Sequence, residues 1–114
     1  MNRSAAHTAL VNAIAIELSK LPDVLVSKNP CGYDRAAGVR YGAFAIDGAG
    51  APDLLAVASG LVVGIEVKTG EAVQNPAQRA CQRRFERAQI PYVVARSVED
   101  AIEAIQSVRR RLAS

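Results

Sequence analysis

The stretch Gly50–Lys68, GAPDLLAVASGLVVGIEVK, constrains this chain more than any other. Asp53 follows Pro52 and opens an apolar run to Ala58, Ser59-Gly60 is a two-residue turn signal, and Leu61–Lys68 is a second apolar run. Two such runs about a tight turn predict an antiparallel hairpin. In the second strand Leu61, Val63, Ile65 and Val67 point one way. Val62, Gly64, Glu66 and Lys68 point the other, because strand side chains alternate. Pairing about Ser59-Gly60 brings Asp53, at the start of the first strand, close to Glu66 and Lys68 at the end of the second. Two carboxylates and an ammonium at the end of an apolar hairpin are costly unless an ion or a network compensates them. Two hard oxygen donors suit Mg²⁺ or Mn²⁺. Taken singly the fragments mean little: Pro-Asp is a common turn, as Pro22-Asp23 reads, and Glu-x-Lys is often a solvated face.

The order Gly-x-Pro-Asp, strand, turn, strand, Glu-x-Lys is more specific, and it resembles the PD-(D/E)xK nuclease superfamily. Val39-Arg40-Tyr41-Gly42, Gly50-Ala51-Pro52-Asp53, Ile65-Glu66-Val67-Lys68-Thr69-Gly70, Gln78 and Val93-Val94-Ala95-Arg96-Ser97 look like its VRR-NUC branch. The resemblance covers roughly residues 29–100. It implies a restriction-endonuclease-like core and Mg²⁺-dependent hydrolysis of DNA phosphodiesters, with Mn²⁺ able to substitute. It also implies action on branched DNA, such as Holliday junctions or flaps, by small stand-alone homodimers of bacterial or bacteriophage origin. On that resemblance Asp53 and Glu66 bind the metal together with the Val67 carbonyl. Lys68 orients the attacking water or stabilises phosphoryl charge. Gln78 supports the lysine or the water. Several superfamily members add an acidic ligand from the first helix, and Glu17 looks like that residue. Otherwise Glu17 is an acid at the edge of an apolar stripe, or one paired with Arg40 or Lys68.

The 114 residues suffice for one domain with a sizeable core, 1–114, and not for two. Half are hydrophobic, many of them Ala, and Trp is absent, so the core is expected to be aliphatic. The net charge of +3 is mild, but eleven of the fourteen basic residues are Arg, which favours bidentate phosphate contacts. Cys31 and Cys81 form no zinc-binding pattern, with only His7 to help, and read as reduced thiols in a cytoplasmic setting. No apolar run reaches transmembrane length, so no membrane partner is expected.

Around the hairpin, Ser4 is a plausible N-cap for a helix to about Lys20, stopped before Pro22. Its apolar stripe includes Leu10, Ile14 and Leu18, and Glu17 falls within it. Val24–Lys28 reads as a strand, Asn29–Gly38 as irregular, and Val39–Ile46 as another strand broken by Gly42. Asp47–Ala51 is a glycine-bearing entry to the site. It is not a phosphate loop, because a strand follows it rather than a helix. Its glycines are expected to let backbone and DNA come close to the metal. Thr69–Asn75 is a polar loop that could close over substrate. Asn75 caps a helix over Pro76–Gln89, in which Ala77, Cys81, Phe85 and Ala88 face the core and Arg79, Arg83 and Arg87 form a separate stripe. Arg79 and Arg83, with Arg35 and Arg40, are the candidate nucleic-acid contacts. Ile90–Ala95 is a buried strand, and Ser97 caps a last helix whose Arg109, Arg110 and Arg111 oppose the helix dipole. The order predicts an α/β chain with a central mixed sheet and helices on both faces. A DNA-binding module or nuclease subunit with the same fold and no activity of its own is the alternative.

Overall fold

The computed structural model describes residues 4–29, 32–41 and 50–113. The hairpin is its centre. Strand β4 (Leu54–Ala58) pairs antiparallel with β5 (Leu61–Val67) in the register Leu54↔Ile65 to Ala58↔Leu61. Ser59 and Gly60 close it at φ 54° and 83°. Positive φ at both central residues is the turn whose twist matches that of the strands it joins. On the outer side of β4 lies β1 (Val24–Lys28), antiparallel, with Val24 opposite Ala58 and Lys28 opposite Leu54. On the far side of β5 lies β6 (Tyr92–Ala95), parallel. A parallel neighbour needs a crossover, which α2 (Pro76–Arg87) supplies. The result is a four-stranded mixed sheet in the order β1-β4-β5-β6.

Helices cover both faces. On one, α1 (Ala5–Ser19) and α3 (Val98–Ala113) pack over the aliphatic core. Ile14 and Leu18 of α1, with Ala101, Ile105 and Val108 of α3, meet Leu54, Ala56, Val63, Ile65 and Val67. These strand residues are the ones alternation predicts to face one way. On the other face α2 lays Cys81 and Phe85 over β5 and β6. A Cβ on Gly64 would stand 2.7 Å from Phe85 Cε2 and 3.1 Å from Pro52 Cγ, so only glycine lets this helix sit so close. Phe85 meets the Tyr92 ring edge-to-face at 5.4 Å between centroids, a favoured aromatic geometry.

Caps set the helix ends. The Ser4 hydroxyl accepts the His7 amide proton and opens α1. Asn75 and Gln78 form a reciprocal capping box at α2. Ser97 Oγ accepts from the Asp100 amide at the start of α3. At its other end Arg109 donates to the Pro22 carbonyl and Arg110 pairs with Glu103.

One expectation changes. Asn29–Gly38 is not all irregular: β2 (Gly32–Asp34) pairs antiparallel with β3 (Val39–Tyr41) as a separate ribbon. Asp34 Oδ1 takes the amide protons of Ala36 and Ala37, and Gly38 sits at φ 69°. The side chain thus makes the turn, a device that three-residue strands do not reveal by periodicity. The strand expected over Val39–Ile46 is described only to Tyr41, and its break at Gly42 lies outside the described residues. Cys31 does too. Among the described residues no helix is long and apolar enough to cross a membrane.

Candidate active site

The site lies at the end of the hairpin away from Ser59-Gly60. Asn29, just past β1, holds that end: its amide donates to the Asp53 carbonyl at 2.9 Å and its Nδ2 to the Pro52 carbonyl at 3.0 Å. Asn29 is one of two buried polar residues among those described. The Pro-Asp corner is thereby fixed against the sheet. Asp53 then reaches across, and its Oδ2 accepts the Val67 amide proton at 2.8 Å. Its side chain is only 7% exposed.

Glu66 is the other buried polar residue, 3% exposed. Its Oε2 accepts from Gln78 Nε2 at 2.5 Å and lies 3.4 Å from Lys68 Nζ, while Oε1 accepts from the Tyr92 hydroxyl at 3.4 Å. Burial of the carboxyl and then the charge of Asp53 push its pKa from 4.5 to about 7, against the opposing pull of Lys68 and Tyr92. The Tyr92 hydroxyl is pushed up as well, by burial and then by the Glu66 charge, so it remains a donor. Lys68 follows the last residue of β5, yet its amide still bonds to the Ala95 carbonyl at 3.0 Å. That keeps the backbone extended and the ammonium beside Glu66.

Sequence reasoning thus places Asp53, Glu66, Lys68, Gln78 and Val67 together, and the structure brings them together. Gln78 does so in a different way. Its Oε1 takes the Asn75 amide proton and its Nε2 faces Glu66. The capping box therefore fixes which end of the amide meets the carboxylate. Gln78 holds Glu66, where support of the lysine or the water was expected.

Glu17 is not brought to the site. It pairs with Lys20 at 2.9 Å, its side chain 43% exposed. It lies ten residues along α1 from His7, about 15 Å at the helical rise. His7 is the α1 residue at the site. Its Nε2 lies 3.1 Å from the Val67 carbonyl oxygen and 3.5 Å from Asp53 Oδ2. Sequence alone missed it, because a single His in the first turn of a helix has no spacing relation to Asp53. Asn29 and Tyr92 were missed for the same reason.

The basic residues are spread more widely. Arg35 is exposed in the β2–β3 connection, and the Arg40 side chain lies outside the described residues. Arg83 is exposed on α2. Arg79 donates to the Gln74 carbonyl at 2.6 Å and Arg96 to the Gly70 carbonyl at 3.0 Å, so the loop expected to close over substrate is tied down near both ends. Both arginines line a cleft of about 790 Å³ beside β6, with Gln74, Val93, Val94 and Glu103. That cleft holds none of Asp53, Glu66 and Lys68, and the perturbed carboxyl marks the chemistry better than the larger hollow does. A Cβ on Gly50 would lie 2.2 Å from the Ala77 carbonyl oxygen, so glycine there lets the backbone of α2 come close.

Among the described residues no group of three or more His, Cys, Asp and Glu side chains is gathered tightly enough to hold a metal ion. The donors that do converge are mixed: the Asp53 carboxylate, the Val67 carbonyl and the His7 ring, with Glu66 alongside. No protein-family model matches the chain, and neither a curated protein nor a solved structure does.

Proposed function

We propose that this chain is a metal-dependent endonuclease of the PD-(D/E)xK type, with a restriction-endonuclease-like core and DNA as its substrate. One observation carries the reading: the hairpin register sets Asp53, Glu66 and Lys68 together at one end of the sheet, with Glu66 raised to about 7 by burial and by Asp53. A buried carboxylate whose charge is disfavoured by desolvation and by the neighbouring Asp53 is relieved by a cation. The residues fit a hard divalent ion, Mg²⁺ or Mn²⁺, with Asp53, the Val67 carbonyl and Glu66 as oxygen donors. When bound, such an ion supplies Lewis acidity toward water and toward the scissile phosphate. Lys68 directs its ammonium at the same corner, where it positions a water and offsets phosphoryl charge. Gln78 and Tyr92 hold the Glu66 carboxylate in one orientation, so it need not reorganise during the reaction.

On this reading branched DNA is the preferred substrate and a homodimer is the working form. A junction presents paired phosphodiesters, so two sites at a fixed spacing are needed. Such a dimer needs an apolar contact outside the chain's own core, to which the buried face of α3 already belongs. The apolar cross-strand row Leu25, Val57 and Val62 lies on the sheet face that carries α2, with Leu25 74% exposed, and we assign the contact there.

The absence of a tight three-ligand group among the described residues favours the second reading, a DNA-binding module or nuclease subunit without activity. A cleavage assay on linear, flap and four-way DNA with and without Mg²⁺ decides between them. Cleavage that needs the metal and is lost in Asp53→Asn supports the enzyme. Tight binding with no cleavage by the wild type supports the silent module.

A further inference from the structure

Granting the divalent-cation site at Asp53, we infer that His7 is its nitrogen ligand and that the site therefore prefers Mn²⁺ to Mg²⁺. His7 Nε2 stands 3.1 Å from the Val67 carbonyl oxygen and 3.5 Å from Asp53 Oδ2. Adjacent donors of an octahedral site with bonds of about 2.1 Å lie roughly 3 Å apart. The first separation matches that edge, and the second reaches it with a shift of a few tenths of an ångström. A proton on Nε2 serves one oxygen well. A cation shared by the ring nitrogen, a carboxylate and a carbonyl serves all three.

The three donors come from three pinned places. Ser4 Oγ holds the His7 amide at 3.0 Å, so the first turn of α1 is fixed. The Val67 amide holds Asp53 Oδ2, and Val67 ends β5. The His7 side chain is 14% exposed and can be reached from solvent. This residue takes the place on α1 that Glu17 cannot, and the exchange changes the metal. Mg²⁺ favours oxygen donors, whereas an imidazole nitrogen suits first-row transition ions.

His7 is the only histidine in the chain, which makes a direct test available. Mn²⁺ is titrated into the tag-free protein by electron paramagnetic resonance, and the bound ion is examined by electron spin-echo envelope modulation. Imidazole-nitrogen modulation in the wild type can come only from His7. The proposal expects it, and expects its loss in His7→Phe together with a fall in Mn²⁺ affinity of at least about ten-fold, since even outer-shell changes cost that much. Mg²⁺ affinity should fall less. If Mn²⁺ binds, Asp53→Asn abolishes that binding and no imidazole modulation is seen, His7 is not a ligand and the proposal is overturned with the metal site intact. If the wild type binds no Mn²⁺, or Asp53→Asn binds as well as the wild type, the metal-site reading fails and this proposal with it. The wild-type spectrum decides the ligand question even if His7→Phe does not fold.

Discussion

Replacing Glu66 with Gln should stabilise the metal-free protein at pH 8 and destabilise it slightly at pH 5. Glu66 is 3% exposed, and its carboxyl is raised from 4.5 to about 7, first by burial and then by Asp53. A difference of that size is worth about 3 kcal/mol between the ionised and neutral forms. Because the folded value lies above the unfolded one, the contribution to stability is fully present below about pH 4.5 and is lost as pH rises through about 7. The metal-free wild type should therefore weaken between pH 5 and pH 8 by up to about 3 kcal/mol from this group. Gln keeps the shape and cannot ionise. Its amide leaves one of the three donors now facing Glu66, from Gln78, Tyr92 and Lys68, opposed by another donor, at a cost of about 1 kcal/mol. The net expectation is a gain of about 2 kcal/mol at pH 8 and a loss of about 1 kcal/mol at pH 5. In melting temperature the gain is roughly 8 °C for a domain of this size. Thermal and urea denaturation in EDTA at both pH values measure it. A Glu66→Gln protein no more stable than wild type at pH 8 would refute the view that burial and Asp53 hold this carboxyl under strain.

Four further outcomes follow from the same geometry. Asp53→Asn should keep the fold and lose cleavage by a factor of 10³ or more, on the order of 4 kcal/mol in the barrier; wild-type turnover persisting in EDTA would sink the metal-dependent mechanism. Lys68→Arg should retain most DNA affinity but lose on the order of 10²-fold in single-turnover rate, because the planar guanidinium cannot reproduce a compact ammonium; a near-wild-type rate makes Lys68 a mere electrostatic contact. Glu17→Gln should leave metal affinity unchanged in a calorimetric titration, since Glu17 faces Lys20 at the other end of α1. Gly64→Ala should cost about 1–3 kcal/mol in denaturant unfolding through its clash with Phe85, whereas an unchanged midpoint means α2 moves freely over β5.

The sequence by itself determined the hairpin and what stands at its open end. Strand alternation sorts Val63, Ile65 and Val67 from Gly64 and Glu66, and the Ser59-Gly60 turn sets the register, so Asp53 must lie near Glu66 and Lys68. These are local rules, and period and turn chemistry express them within a few residues. The same rules gave the Ser4 and Asn75 caps and the strand Val24–Lys28. They could not show β2, where three residues are too few to carry a period. They also could not choose between Glu17 and His7. Both lie on α1, and only the packing of that helix over β5 decides which of its ends meets Val67 and Asp53. Likewise Asn29 and Tyr92 reach the site from the two outer strands, and Gln78 acquires its partner because Gly64 lets α2 descend onto the sheet. Contacts between residues distant in sequence arise from tertiary packing, and a single chain read by local pattern carries no record of them.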